Sequence, residues 1–292
     1  MSQPRSSFDP QHIAPKKALG QHFLHDQSVL ARIAALSRLE PDSGLIEIGP
    51  GTGNLTAHLI AQAKGAPFVA VERDRRMPEV LRERFGDAAP FVQEADAVQV
   101  DYAALIAEHG LGPAPVIVGN LPYNAGVPIL FSTLAARPKR IIVMLQREVA
   151  LRLAAAPGSK TYGQVSVKLQ LLADVRIAFK VGRGAFSPPP KVMSAVIVLT
   201  PLAELRHPVP SRKRLWRLLE AGFGQRRKTL ARALSNTLKL PKEIVHDALI
   251  ALNFPATARA EQLDLASWAA LATQLDDHLR ATIPDPAVDA DL

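Results

Sequence analysis

The 292-residue chain reads as an α/β fold, a doubly wound and mostly parallel sheet, followed by a small all-α C-terminal domain. Three observations predict this. Short β-branched or apolar runs alternate with helical patterns as far as Pro201, and strands separated by helices pair in parallel. Beyond Pro201 the strand patterns stop, and amphipathic segments punctuated by Pro, Gly or Asn follow. The charge shifts as well: residues 1–150 carry 15 Lys/Arg and 15 Asp/Glu, whereas residues 151–250 carry 18 basic and 5 acidic residues.

Taken in order, residues 1–20 mix Pro with Lys16 and Lys17 and are expected to form a flexible basic segment. Asp26 has the side chain of a helix N-cap, and QSVLARIAALSRL after it spaces Val29, Leu30, Ile33, Leu36 and Leu39 on one helical face. Strand–helix pairs follow: LIEIG (45–49) with LTAHLIAQA, FVAVE (68–72) with MPEVLRERF, and FVQEAD (91–96) with YAALIAEHG. VIVGN (116–120) then precedes VPILFSTLAAR, and RIIVMLQ (140–146) precedes REVALRLAAA. KVMSAVIVL (191–199) is the last expected strand, which closes a first domain over 21–201. PSRKRLWRLLEAGF, KTLARALSNTL, PKEIVHDALIALNF and LDLASWAALATQLDDHL are expected helices of a second domain over 202–280. Residues 281–292 form an acidic, Pro-bearing tail of disordered composition.

Composition excludes several chemistries. With no cysteine, the chain has no disulfide, thiolate-ligated zinc, iron–sulfur cluster or thiol nucleophile. Its 8 histidines show no metal-ligand spacing, so no metal is expected. No apolar run approaches the length of a membrane span, and the N-terminus lacks a signal-type apolar core, so a cytoplasmic location off the membrane is expected. The net charge of +8 is concentrated in residues 151–250 at +13, against −5 in residues 251–292. A concentrated basic stretch suits a polyanion, with a merely well-solvated surface as the alternative.

LIEIGPGTGNLT runs from a strand through Gly49, Gly51 and Gly53 into a helix. Glycines there let the chain turn sharply and let a ligand approach the main chain. Glu72 ends the next strand, where an acid can accept both hydroxyls of an adenosine ribose, as in sites for NAD or for S-adenosylmethionine. The spacing G-x-G-x-G departs from the dinucleotide pattern. Glu47, just before the turn, would repel a pyrophosphate and suit the positive end of a sulfonium cofactor. Asp96 ends the third strand, placed to accept from an adenine amine.

Asn120-Leu121-Pro122-Tyr123 follows the fourth of these strands, at the sheet edge where open α/β folds bind ligands. Asn120 offers an amide oxygen, and Pro122 holds Leu121 extended so that it can present its carbonyl. Two carbonyls aimed at one amine suit a nucleobase, and Tyr123 offers a flat stacking face.

GQHFLHD, LIEIGPGTGNLT, GNLPYN and FSPPPKVMSAVI, in this order, resemble motifs of the rRNA adenine N6,N6-dimethyltransferases, most nearly the small-subunit (KsgA) type. The resemblance runs from about Gly20 to Trp268. It implies a Rossmann-like class I methyltransferase fold with S-adenosyl-L-methionine as donor. The implied substrate is a pair of adjacent adenosines in a hairpin loop near the 3′ end of 16S rRNA, met in the small-subunit precursor. By motif match, His22, Leu24, Gly49, Glu72, Asp96 and Asn120 would line the cofactor site. Asn120 to Tyr123 would hold the target adenine, with Phe186 stacked on its other face. GQRRKTLARAL resembles the family's RRKT segment. Two residues depart from the pattern: His22 stands where Asn is usual, and Ala231-Arg232 replace Arg-Asn after RRKTL.

Arg212, Lys213, Arg214, Arg217, Arg226, Arg227, Lys228 and Arg232 fall on expected helices and would pair with RNA phosphates, with Arg147, Arg152, Lys160 and Lys168 extending that surface. A monomer is expected. The alternative functions are a large-subunit (23S) rRNA dimethyltransferase of the macrolide-resistance type, a non-catalytic RNA-binding assembly protein, and an NAD-dependent oxidoreductase. The glycine spacing disfavours the last.

Overall fold

A computed structural model describes Lys16, residues 21–40 and residues 43–283. The expected flexible segment, apart from Lys16, and the acidic tail from residue 284 lie outside the described residues. The first part of the chain follows the expected alternation. β1 (Phe23–Leu24) leads into α1 (Gln27–Ser37), where the Asp26 carboxylate accepts from the amides of Ser28 and Val29 as an N-cap. Then come β2 (Leu45–Ile48), α2 (Asn54–Ala63), β3 (Phe68–Glu72), α3 (Met77–Phe85), β4 (Phe91–Glu94) and α4 (Tyr102–Glu108). β5 (Val116–Asn120), α5 (Gly126–Leu134), β6 (Arg140–Gln146) and α6 (Arg147–Leu153) follow.

The next stretch departs from expectation. After α7 (Gln164–Leu172) the chain forms a nine-residue strand, β7 (Ala173–Val181), that the sequence reading did not assign. Its residues alternate only weakly in burial, with Asp174, Arg176 and Lys180 exposed, so the period-2 signal is faint. β8 (Phe186–Ser187) pairs antiparallel with β1, and β9 (Ser194–Pro201) begins three residues later than the expected strand.

The main sheet has seven strands in the order β4-β3-β2-β5-β6-β9-β7. β2 pairs in parallel with both β3 and β5, as β3 does with β4 and β5 with β6, whereas β6 and β9 are antiparallel. The strand order therefore reverses between β2 and β5, which opens a crevice at their carboxyl ends. Leu30, Ile33, Leu45, Leu59, Val118 and Ile142 share one apolar core beside the sheet.

The second unit holds α8 (Arg212–Gly224), α9 (Leu230–Leu238), α10 (Lys242–Ala251), α11 (Leu265–Gln274) and α12 (Asp276–Thr282). Its core gathers Trp268, Leu215, Leu218, Leu234 and Leu249 with Tyr162 and Val167. The single helix expected over LDLASWAALATQLDDHL is two, separated at Leu275. The boundary also differs from the contiguous one read from sequence. One unit comprises the described residues up to Ala150 with Arg176–Pro201, and the other Leu151–Val175 with those from Leu202. The chain thus leaves the first unit and returns to it, because α7 buries Val167 and Leu171 among the helices of the second. Among the described residues no helix is long and apolar enough to cross a membrane.

Candidate functional site

The crevice between β2 and β5 is floored by the glycine turn. Gly49, Gly51 and Gly53 all have positive φ, at 68°, 53° and 84°, a region where side chains are strained. Gly49 and Gly51 line the cavity, together with Glu72, Asp96, Asn120 and Tyr123. Gly53 does not. It starts α2, and a Cβ there would lie 2.7 Å from the Phe85 ring and 2.8 Å from Leu81, so its role is to let α2 pass close to α3.

Glu72 is held by the main chain. Its Oε2 accepts from the Gly51 amide at 3.1 Å, and its Oε1 accepts from the Arg73 and Asp74 amides, each at 2.8 Å. Burial pushes its carboxyl up, opposed by these three donors. The outcome is an acceptor pinned at the cavity wall. Asp96 stands on the next strand's turn, with one oxygen accepting from the Val98 amide and the other 3.3 Å from Arg73 Nη1.

Glu47 is a correction. Its side chain does not reach the cavity. The residue is 1% exposed, its Oε2 accepts from the Thr56 hydroxyl at 2.7 Å, and burial pushes its carboxyl up to about 8. It braces the turn against α2 from behind.

Three segments distant in sequence meet at Asn120. Its Nδ2 donates to the His22 carbonyl at 3.2 Å, which leaves Oδ1 as a free acceptor among the described residues. The Leu121 amide donates to Met144 O at 3.2 Å, and its own carbonyl accepts no hydrogen bond among the described residues. The His22 ring stacks on Tyr123 with centroids 5.7 Å apart, and its Nδ1 lies 2.8 Å from the Pro188 carbonyl. That carbonyl can only accept, so Nδ1 carries the proton. The Tyr123 hydroxyl shares a 2.7 Å hydrogen bond with Ser194 Oγ, and burial raises its pKa. His22 and Leu24 both line the cavity.

Phe186 is the second correction. Rather than facing the cavity, it is 3% exposed, paired through β8 with Leu24, and part of the apolar core beside the sheet. Its aromatic area is spent on packing.

The basic residues divide. Arg217, Arg226, Arg227, Lys228 and Arg232 are exposed, and Arg212 and Lys213 are half-buried. Arg214 is not an RNA contact: it is 2% exposed and its Nε donates to Asp276 Oδ1 at 2.7 Å inside the helical unit. Arg217 pairs with Glu220 at 3.0 Å, and Arg226 Nη2 donates to the Lys160 carbonyl at 3.2 Å. Lys168 is also committed elsewhere, 3.0 Å from Glu220 and beside the Trp216 ring.

Sequence reasoning missed Asp74 and Ser194. The Asp74 side chain has no exposure and accepts from Lys16 Nζ at 2.9 Å, Gln21 Nε2 at 3.0 Å and Arg76 Nη2 at 2.6 Å. Those donors hold its carboxyl well below the usual range. The only local signal was its place two residues after Glu72. Among the described residues, no group of three or more metal-ligating side chains is assembled.

The donor set fits an adenosine-bearing sulfonium. Glu72 could accept from ribose hydroxyls and Asp96 from an adenine amine, and Asn120 and Leu121, each with an unfilled carbonyl oxygen among the described residues, line the same cavity.

The chain matches the family of ribosomal RNA adenine dimethylases over residues 14–277. A ribosomal RNA small subunit methyltransferase A from Anaeromyxobacter sp. (strain K) is 45% identical over 278 residues, 92% of this chain and 96% of that protein. Its namesake from Pseudomonas aeruginosa is 42% identical over 268 residues, 91% and 96% of the two chains. Among solved structures, a dimethyladenosine transferase from Plasmodium falciparum aligns with a TM-score of 0.73 at 26% identity, covering 88% of this chain and 98% of that one. The 23S rRNA methyltransferase ErmE aligns at 0.65 and 27% identity, covering 87% and 99%. Motifs, switch-point cavity and these similarities agree that the chain belongs to the ribosomal RNA adenine dimethylase family.

Proposed function

We propose that this enzyme dimethylates the exocyclic amines of two adjacent adenosines in a hairpin near the 3′ end of 16S rRNA, during small-subunit maturation. The observation that carries the reading is the pair of free acceptors, Asn120 Oδ1 and Leu121 O, at the carboxyl end of β5. The small-subunit target is favoured over the large-subunit one by relatives of 40–45% identity that bear the small-subunit name, against 27% for ErmE.

Glu72, Asp96 and the Gly49–Gly51 turn would hold the cofactor, S-adenosyl-L-methionine, which would supply an electrophilic methyl group on a sulfonium leaving group. An adenine amine is a poor nucleophile because its lone pair is delocalised into the ring. Asn120 Oδ1 and Leu121 O would each accept a hydrogen bond from an N–H of the amine in the first transfer, and one of them from the single remaining N–H in the second, which favours a pyramidal nitrogen and frees the lone pair. The free face of Tyr123 supports the base, since His22 covers the other. Alignment of the two reactants is worth ~7–11 kcal/mol, so no strong base or metal is required of the protein. The displaced proton leaves to water. The exposed cations of the second unit pair with phosphates and set orientation. The enzyme works as a monomer in the compartment where ribosomal subunits mature.

The test is methyl transfer from radiolabelled cofactor to immature small subunits, large subunits and free rRNA, with nucleoside analysis. Dimethyladenosine confined to the small subunit is the expected product. Label in large-subunit rRNA would select the resistance-type activity, and cofactor binding without any label would select an assembly protein.

A further inference from the structure

Six large apolar side chains stand exposed among the described residues, and two of them are consecutive: Val192 at 44% and Met193 at 38%. They lie between β8 and β9, in the loop that leads to Ser194. The next residue, Ser194, is buried and holds the Tyr123 hydroxyl. The Met193 carbonyl accepts from the Arg147 amide at 2.8 Å, and Ser194 pairs with Gln146 across β9 and β6. The backbone beneath the pair is therefore fixed, and the side chains project from a rigid base. Lys191 and Arg147 flank them, both exposed and neither with an ion-pair partner among the described residues.

An apolar knuckle between two unpaired cations matches a single-stranded nucleic acid. Unstacked bases offer apolar faces, and the phosphates beside them offer the opposite charge. A protein partner would call for a broader apolar patch than two side chains. Drawing a base from its loop into a pocket leaves its neighbours unstacked, which costs a few kcal/mol unless something covers them.

We propose that Val192 and Met193 cover the nucleotides flanking the extruded adenosine, while Lys191 and Arg147 pair with the adjacent phosphates. This rests on the RNA-modifying reading above. It makes the knuckle a determinant of base extrusion, separate from the cofactor site.

The experiment uses the full chain with its cofactor and two hairpin RNAs: one carries 2-aminopurine at the target position, whose fluorescence rises on unstacking, and the other carries the native adenosines, whose 6-amino groups accept the methyl. V192S/M193S should lower both that rise and kcat/KM for methyl transfer by about tenfold, the size expected when two partly exposed apolar side chains no longer desolvate. Cofactor affinity by calorimetry should not change, and V192I/M193L should behave as wild type. A fluorescence rise and kcat/KM within about twofold of wild type in V192S/M193S would overturn the proposal. So would a wild-type dimer that this variant converts to monomer by sedimentation, since the patch would then be a self-interface. Should the wild type bind cofactor yet methylate no RNA, the proposed function falls, while the fluorescence titration still judges the knuckle on its own.

Discussion

Replacing Glu47 by glutamine isolates the cost of keeping a carboxyl group behind the cofactor turn. The side chain is buried, its one hydrogen bond among the described residues is from Thr56, and desolvation, reinforced by the charge of Glu72, pushes its carboxyl up to about 8 from an ordinary 4.5. The folded value lies above the unfolded one, so folding takes up a proton. Stability is then full below the unfolded value, falls as pH rises toward the folded value, and levels off beyond it. Each pH unit inside that window costs about 1.4 kcal/mol, which places the wild type roughly 4 kcal/mol below its acid-side stability at pH 8. Glutamine keeps an oxygen for Thr56 and does not ionise. Its extra N–H group, lacking a partner, takes back about 1–2 kcal/mol at every pH. Urea unfolding of both proteins at about pH 5 and pH 8 supplies the comparison, and titrations elsewhere cancel in the difference. Glu47→Gln should gain roughly 3 kcal/mol relative to wild type between the two conditions and be the more stable protein at the higher pH. A stability difference that does not change with pH would mean that Glu47 ionises freely in the folded state, and the account of it as a neutral brace would be wrong.

Further outcomes follow from the same geometry. Asn120→Ala removes one of the two acceptors and should abolish methyl transfer while RNA affinity, by filter binding, stays within a few fold. Reversing charge at Arg226, Arg227 and Lys228 together should weaken RNA binding and reduce the slope of log K against log salt by about 2, at ~0.7 per single-strand phosphate contact. An unchanged slope would make those residues plain solvated surface. Arg214→Ala strips a buried partner from Asp276 and should destabilise the helical unit by about 3 kcal/mol in chemical unfolding, with RNA affinity retained once the variant is folded. Gly53→Ala forces a side chain into a positive-φ position 2.7 Å from Phe85 and should lower the melting temperature by several degrees.

What the sequence made legible was local. The strand–helix alternation, the Asp26 cap and the glycine turn depend on neighbours a few residues away, and each stands where the local pattern placed it; of the acids, Glu72 closes its strand as expected, whereas Asp96 lies two residues beyond β4. Burial depends on the whole fold, and there the residue type misled. Phe186 was expected against the target adenine by motif match, but pairing of β8 with β1 carries it into the core. Arg214 looked like its basic neighbours, but it falls on the inward face of α8, where Asp276, 62 residues on, meets it. Asp74 gathers partners from as far as 58 residues away, which no spacing rule could propose. The two glutamates at the site state the point most sharply. Glu47 and Glu72 both belong to strands that end beside the cavity, and both are buried. Glu47 lies inside its strand and points at a helix, where a single hydroxyl meets it, so it is an inert acid. Glu72 closes its strand, where three turning amides converge on it, so it is an oriented acceptor. One step along a strand, more than the identity of the side chain, decides which of the two can hold a ligand.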